Sequence, residues 1–333
     1  MDFHGVPAVN IFLVGEAATH AEKLASRLTC GAAIVPLPRE AAHAADHDGR
    51  IGPHDVVVSL RFSRPPGATP AFRLLHVPGA GLDGIDMSSV PPGATVCNVF
   101  EHEIPIAEYV TLAMLEWQIR LRDLAARFTP RSWSDLYRSR PPHAELYGKT
   151  LLLIGLGRIG RAIATRARAF GMRVLAVDGY AQPPAGLVDR VFAPHELGEA
   201  LPAAEFVVIC CPLTEDTRGM FHAGTLARMR RDAVLINVSR AEIARERDLY
   251  EALRDKVIAG AILDVWYRYP KGADDDVEPA SLPFLDLPNV IATPHTSAWT
   301  VDLPWRRYGL IAANIDRLAR GEALSNVVRP PGR

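Results

Sequence analysis

The chain is poor in lysine and cysteine, carries almost no net charge and has no long apolar run. Only four of its 333 residues are Lys, and Arg supplies nearly all of the positive charge. That balance reflects genome composition rather than function. The formal net charge of −1 gives no general attraction to nucleic acid or to an anionic membrane. No apolar run approaches the roughly 20 residues that a membrane span needs. The first run, 8–14, follows no basic segment and precedes no cleavage-like site, so it reads as a strand and not as a signal peptide. The four cysteines are Cys30, Cys97, Cys210 and Cys211. Two are adjacent and none has metal-ligand spacing. Reduced thiols, a cytoplasmic setting and no metal are therefore expected.

What is present is an alternation of strand and helix signals in two series. The length favours two domains. The first series has apolar runs at 8–14, 32–36, 55–60 and 74–77, which predicts a small open parallel sheet. The second has strands at 151–154, 173–177, 206–210, 233–238, 258–264 and 290–293. Helices such as 161–170 and 247–254 lie between them, which predicts a second, doubly wound sheet. A long helix is expected at 106–121. An irregular segment should follow at 128–146, where Pro130, Pro141 and Pro142 oppose a regular helix. The helical pattern at 303–320 comes too late for the strand series. It is expected to return to the first domain, leaving a cleft between the two. The acidic stretch 273–278 reads as a solvated loop.

The most informative segment is Leu-Ile-Gly-Leu-Gly-Arg-Ile-Gly, residues 153–160. Gly155 allows a tight turn after a strand, Gly157 lets the backbone approach a pyrophosphate, and Gly160 lets the next helix pack on the strand. The helix start then offers free N–H groups to phosphates. Asp178 ends the next strand. An acid there accepts from a ribose 2′-hydroxyl and repels a 2′-phosphate, so NAD is expected rather than NADP.

Three further segments carry candidate chemistry. Gly79-Ala80-Gly81 follows a strand, and its amides can face an anion as a small nest; an ordinary strand-to-helix turn is the plain alternative. Arg240 lies at the carboxyl end of a strand, where its guanidinium can grip a carboxylate; a surface Arg would look the same. His295 also lies at a strand end and suits general acid/base work, though a lone His is often structural.

Taken together in this order, with Cys211-Pro212-Leu213-Thr214, Thr217 and Asp264-Val265-Trp266, these segments resemble the D-isomer-specific 2-hydroxyacid dehydrogenase family over nearly the whole chain. The resemblance implies a Rossmann NAD domain at 102–300 and a smaller flavodoxin-like substrate domain at 1–101 plus 301–333. It implies that Arg240 binds the substrate carboxylate and carbonyl, that His295 is the acid/base, and that Ala80 and Gly81 hold the carboxylate. Arg158 and Ile159 match the turn over the pyrophosphate, Pro212 and Thr217 match residues along the cofactor, and Asp264 matches an acid near the nicotinamide. A homodimer joined through the cofactor domains, acting on a small 2-oxo or 2-hydroxy acid, is implied too.

The pattern breaks at one catalytic position. Where most of the family has a Glu paired with the His, this chain has Tyr269, followed by Pro270. A carboxylate would raise the His pKa, and Tyr cannot, although its hydroxyl can orient the ring. A less basic His295 is expected, so reduction should lose rate at a lower pH than in Glu-containing relatives. Glu278, ahead of Pro279, is a second candidate for the missing acid. A neutral residue here also resembles the formate dehydrogenase branch, which transfers hydride without a proton. Glu101 and Glu103, if they face the substrate, would disfavour doubly anionic substrates. The main expectation is an NAD-dependent D-2-hydroxyacid dehydrogenase; a formate-oxidising enzyme and a non-catalytic NAD-sensing protein are the alternatives.

Overall fold

A computed structural model of the chain describes residues 9–330 other than Thr69, Pro141 and Ala273. The expectations that touch Ala8, Pro141 and Ala273 fall outside the described residues at those positions. Strands β1 (Asn10–Val14), β2 (Ala33–Leu37), β3 (Val56–Val58), β4 (Leu74–His76) and β5 (Thr95–Cys97) come first in the chain. Strands β6 (Thr150–Ile154), β7 (Arg173–Val177), β8 (Arg190–Phe192), β9 (Phe206–Ile209), β10 (Val234–Asn237), β11 (Gly260–Leu263) and β12 (Val290–Ala292) follow, and β13 is Val327–Arg329. The helices are α1 (Ala21–Ala25), α2 (Glu103–Ile119), α3 (Leu121–Arg127), α4 (Trp133–Ser139), α5 (Arg158–Ala169), α6 (Leu197–Ala200), α7 (Ala223–Leu226), α8 (Glu246–Arg254) and α9 (Leu303–Arg320).

The chain divides into two compact α/β units. One contains the described residues up to Glu101 and those from Val301 onward; the other is His102–Thr300. The first unit has the sheet order β13-β5-β4-β3-β1-β2. All of its pairings are parallel except β13 on β5. Alternate residues of each strand feed opposite faces, as the two-residue period requires. Phe12, Val57 and Leu75 pack on one side, and Ile11, Leu13, Val56, Val58 and Leu74 on the other. Helix α9 covers the second face with Tyr308, Ile311, Ala312 and Ile315, one stripe at helical spacing.

The second unit has the order β12-β11-β10-β9-β6-β7-β8, all parallel. Chain order reverses between β6 and β9, the crevice where doubly wound sheets take ligands. Strand β6 is buried along its whole length, as expected of a central parallel strand covered on both faces. Leu152 and Ile154 enter one core, and Leu151 and Leu153 the other. Helix α5 buries Gly160, Ile163, Ala164 and Ala167, one helical stripe that seats it on the sheet beside the crevice.

Two readings of the sequence need correction. Residues 133–139 form helix α4 inside the segment expected to be irregular. The prolines do not prevent it, because Pro130 and Pro142 lie outside its ends, and proline is costly only in a helix interior. Strands β5, β8 and β13 were not anticipated. Each has three residues and includes a polar or charged one, which interrupts the apolar run.

Candidate active site

In the second unit, the chain leaves β6 through Gly155, whose φ of +100° belongs to the region that glycine adopts freely. A Cβ there would lie 2.8 Å from the Cys211 backbone nitrogen, at the end of β9. A Cβ on Gly160 would run into the Gly155 carbonyl oxygen. Gly157 has open space where its Cβ would be, and it is the N-cap of α5 without a side-chain cap. Arg158 and Ile159 are the first two residues of that helix. The Arg158 guanidinium lies 4.0 Å from the Glu103 carboxylate, whose other oxygen is 4.0 Å from His102.

Asp178 stands beside this loop. One of its oxygens accepts from the Leu156 amide at 2.7 Å, and the other accepts from the amides of Tyr180 and Ala181, both at 2.8 Å. Partial burial opposes its charge, but these bonds and Arg161 outweigh that and hold the carboxyl below its ordinary range. The Thr217 hydroxyl donates to the Pro212 carbonyl at 2.8 Å and accepts from the Thr214 amide at 2.7 Å, which braces the loop after β9. A carboxylate, an open glycine and an uncapped helix start fit a dinucleotide.

Arg240 follows β10 on a turn shaped by Asn237. The Asn237 side chain accepts from the Ser239 amide at 3.1 Å and donates to the Arg240 carbonyl at 2.9 Å. Ser239 donates its hydroxyl to the Cys211 carbonyl. The charge of Arg240 acts on both His295 and Tyr269, so these three side chains share one electrostatic environment.

His295 has a φ of +57°, unusual for a residue with a Cβ. Asp264 explains how it is held. This fully buried carboxylate accepts from the Thr293 hydroxyl at 2.6 Å, the Thr296 amide at 2.8 Å and the Ser297 amide at 2.9 Å. It therefore clamps the turn on both sides of His295. Because Thr293 gives its only hydroxyl proton to Asp264, Tyr109 of α2 must donate to Thr293, at 2.6 Å. Trp266 adds an indole N–H to the Thr293 carbonyl at 2.9 Å.

Tyr269 Oη lies 2.9 Å from His295 Nδ1 and accepts from the Trp266 amide at 3.0 Å. Partial burial lowers the His295 pKa below its ordinary value; Asp264 opposes this and Arg240 adds to it. Burial raises the Tyr269 pKa. Glu278 is exposed and has no hydrogen bond or ion pair among the described residues. Sequence reasoning missed the bracing roles of Asn237, whose partners are local backbone groups, and of Thr293, Trp266 and Tyr109, whose partners lie far away in sequence.

In the first unit, Ala80 and Gly81 follow β4. The Asn98 side chain donates to the Ala80 carbonyl at 2.9 Å, and the Val99 amide donates to the Gly79 carbonyl at 3.2 Å. Glu101 is paired with Arg306 at 3.6 Å. Among the described residues no cluster of three or more His, Cys, Asp or Glu is arranged to hold a metal, and no helix is long and apolar enough to cross a membrane.

Residues 111–297 match the family model described as D-isomer specific 2-hydroxyacid dehydrogenase, NAD binding domain. The chain is 34% identical to a D-3-phosphoglycerate dehydrogenase of Methanocaldococcus jannaschii, over 76% of this chain and 47% of that protein. It is 37% identical to a glyoxylate reductase of Korarchaeum cryptofilum, over 56% of each chain. It is 34% identical to a glycerate dehydrogenase of Methylorubrum extorquens, over 69% of this chain and 70% of that one. The chain spans about half the length of the first of these curated relatives that it matches. Its fold resembles that of an NADPH-dependent glyoxylate/hydroxypyruvate reductase from Sinorhizobium meliloti solved with NADP and sulfate. The TM-score is 0.72 at 22% identity, covering 96% of this chain and 98% of that one. The chain belongs to the D-isomer-specific 2-hydroxyacid dehydrogenase family.

Proposed function

We propose that the protein is an NAD-dependent D-2-hydroxyacid dehydrogenase that interconverts a D-2-hydroxy acid and its 2-oxo acid. The observation that carries this reading is that Arg240 follows β10 and His295 follows β12, both at the carboxyl ends of strands in one parallel sheet, with His295 Nδ1 engaged by Tyr269. That bond leaves Nε2 for the substrate. Arg240 binds the carboxylate and draws charge onto the carbonyl oxygen, where its fixed positive charge is most effective in a dry site. His295 Nε2 delivers a proton to that oxygen in reduction and removes it in oxidation, when the ring proton is on Nδ1 and Nε2 carries the lone pair. Ala80 and Gly81 offer amides for the carboxylate. When bound, the cofactor supplies or accepts a hydride at nicotinamide C4.

NAD rather than NADP is supported by Asp178, which keeps its negative charge and would repel a 2′-phosphate. Gly155, Gly157, Arg158, Ile159 and Gly160, with Pro212, Thr217 and Asp264, complete the proposed cofactor contacts. The four free cysteines support a reducing, cytoplasmic setting. A homodimer formed through the cofactor-binding units is supported by an apolar surface on α3 and α4 and the turn between them. Leu121, Phe128, Trp133 and Tyr137 are each more than half exposed there. NADH oxidation with a panel of 2-oxo acids tests the activity, and turnover of at least one is expected. If none is reduced, formate oxidation would favour the hydride-only reading, and NAD binding without any turnover would favour a sensor.

A further inference from the structure

We propose that Tyr269 fixes the tautomer of neutral His295, placing its proton on Nε2, so that the neutral ring recognises a 2-oxo acid without being able to reduce it. This rests on the reading of the site as a 2-oxo acid reductase. The Trp266 amide can only donate, and it donates to Tyr269 Oη at 3.0 Å. The phenol keeps one proton of its own. Among the described protein groups, the acceptor within reach of that proton is His295 Nδ1, at 2.9 Å. The rings are tilted by 54° with centroids 5.5 Å apart, an arrangement of contact through Oη rather than stacking. In the unliganded neutral ring, Tyr269 then donates to Nδ1, and the ring proton resides on Nε2.

A glutamate at the same place would do the opposite. A carboxylate only accepts, so it would keep the proton on Nδ1 and leave Nε2 with a lone pair. Tyr269 serves both protonation states, but differently. It accepts from Nδ1–H of the imidazolium and donates to Nδ1 of the neutral ring. The charged and titratable groups that act on the pair are Asp264, Arg240 and Glu242. Asp264 is committed to the turn by three hydrogen bonds.

The consequence is a separation of binding from chemistry. The imidazolium donates Nε2–H to the carbonyl oxygen as C2 is reduced: the N–H bond breaks, the O–H bond forms, and the neutral ring is left with its proton on Nδ1, where Tyr269 accepts it until exchange with solvent restores the Nε2–H tautomer. Above the His295 titration the neutral ring still offers Nε2–H to the carbonyl oxygen. Giving up that proton would leave an imidazolate, so the complex forms but does not turn over. With the proton on Nδ1, the Nε2 lone pair would instead face the carbonyl oxygen and weaken binding. Tyr269 is thus a positioning residue that acts through His295.

The test is 15N spectroscopy of histidine-labelled, unliganded protein above the His295 titration, together with pH profiles of reduction. The wild type should show a protonated, pyrrole-type Nε2 and a pyridine-type Nδ1. In Tyr269→Phe the donor is gone, and the two shifts should move toward each other as the tautomers mix. In the wild type, kcat for reduction should fall about tenfold per pH unit above the titration while KM for the 2-oxo acid changes less than about twofold. In Tyr269→Phe, KM should climb over the same range. A protonated Nδ1 in the neutral wild-type ring overturns the proposal, whatever the enzyme reduces. A kcat that stays level above the titration also overturns it, because Tyr269 would then be passing its own proton through the ring. An Nε2–H signal with no turnover of any 2-oxo acid would support the tautomer assignment and overturn the reductase reading.

Discussion

His76 makes the first unit sensitive to acid. Its side chain is fully buried on β4, two residues before Pro78-Gly79-Ala80-Gly81. Asn314 of α9 donates to its Nε2 at 3.0 Å. The amide cannot reverse without loss, since it also donates to the Ser325 carbonyl at 2.9 Å and accepts from the Ser325 amide at 2.9 Å. A proton on Nε2 would therefore face a donor inside a dry core. Burial pushes the His76 pKa down from 6.5 to about 4. The sign follows directly. The unfolded chain takes up this proton below pH 6.5 and the folded chain resists until about 4, so stability is lost as pH falls through that window. The gap amounts to about 3 kcal/mol once pH reaches the lower value. Denaturant unfolding of the wild type and of His76→Leu at pH 7.5 and 4.5 isolates the contribution, because other groups titrate alike in both. The wild type should lose about 2.5 kcal/mol more than the variant. Equal losses would refute the reasoning.

Three further outcomes are expected. Asp178→Asn removes the charge that disfavours a 2′-phosphate, and discrimination between NAD and NADP in kcat/KM should fall about ten- to a hundredfold; unchanged discrimination would count against Asp178 as the selector. Arg240→Lys keeps the charge but not the planar fork, and kcat/KM for a 2-oxo acid should drop about ten- to a hundredfold, whereas wild-type kinetics would remove Arg240 from the site. Tyr269→Glu supplies an anion beside Nδ1, raises the His295 pKa and should move the pH profile of reduction upward by about 1–3 units. A profile that stays in place would contradict the expected low basicity of His295.

The long strands of the second unit are legible in the sequence because parallel strands covered on both faces appear as continuous apolar runs, as in β6 and β7. The short strands β5, β8 and β13 are not, and neither is the left-handed Arg120 (φ +54°) that separates α2 from α3, since nothing in its side chain announces it. The glycine-rich turn is legible through spacing that few other structures require. The partner of His295 is not: Tyr269 and Glu278 are both compatible with the spacing, and the fold brings Tyr269 to Nδ1. Nor does the sequence reveal that Asp264 clamps the 293–297 turn, because two of its three partners are backbone amides, which every residue except proline carries.

The central claim is a reductase that needs both Arg240 and a protonatable His295. The most direct test follows NADH absorbance with glyoxylate, pyruvate, hydroxypyruvate, phenylpyruvate and a branched 2-oxo acid, with formate plus NAD as the counter-assay. The account predicts NADH loss with at least one 2-oxo acid, abolished in His295→Asn, and no turnover of formate. Silence on every 2-oxo acid while formate is oxidised would contradict it.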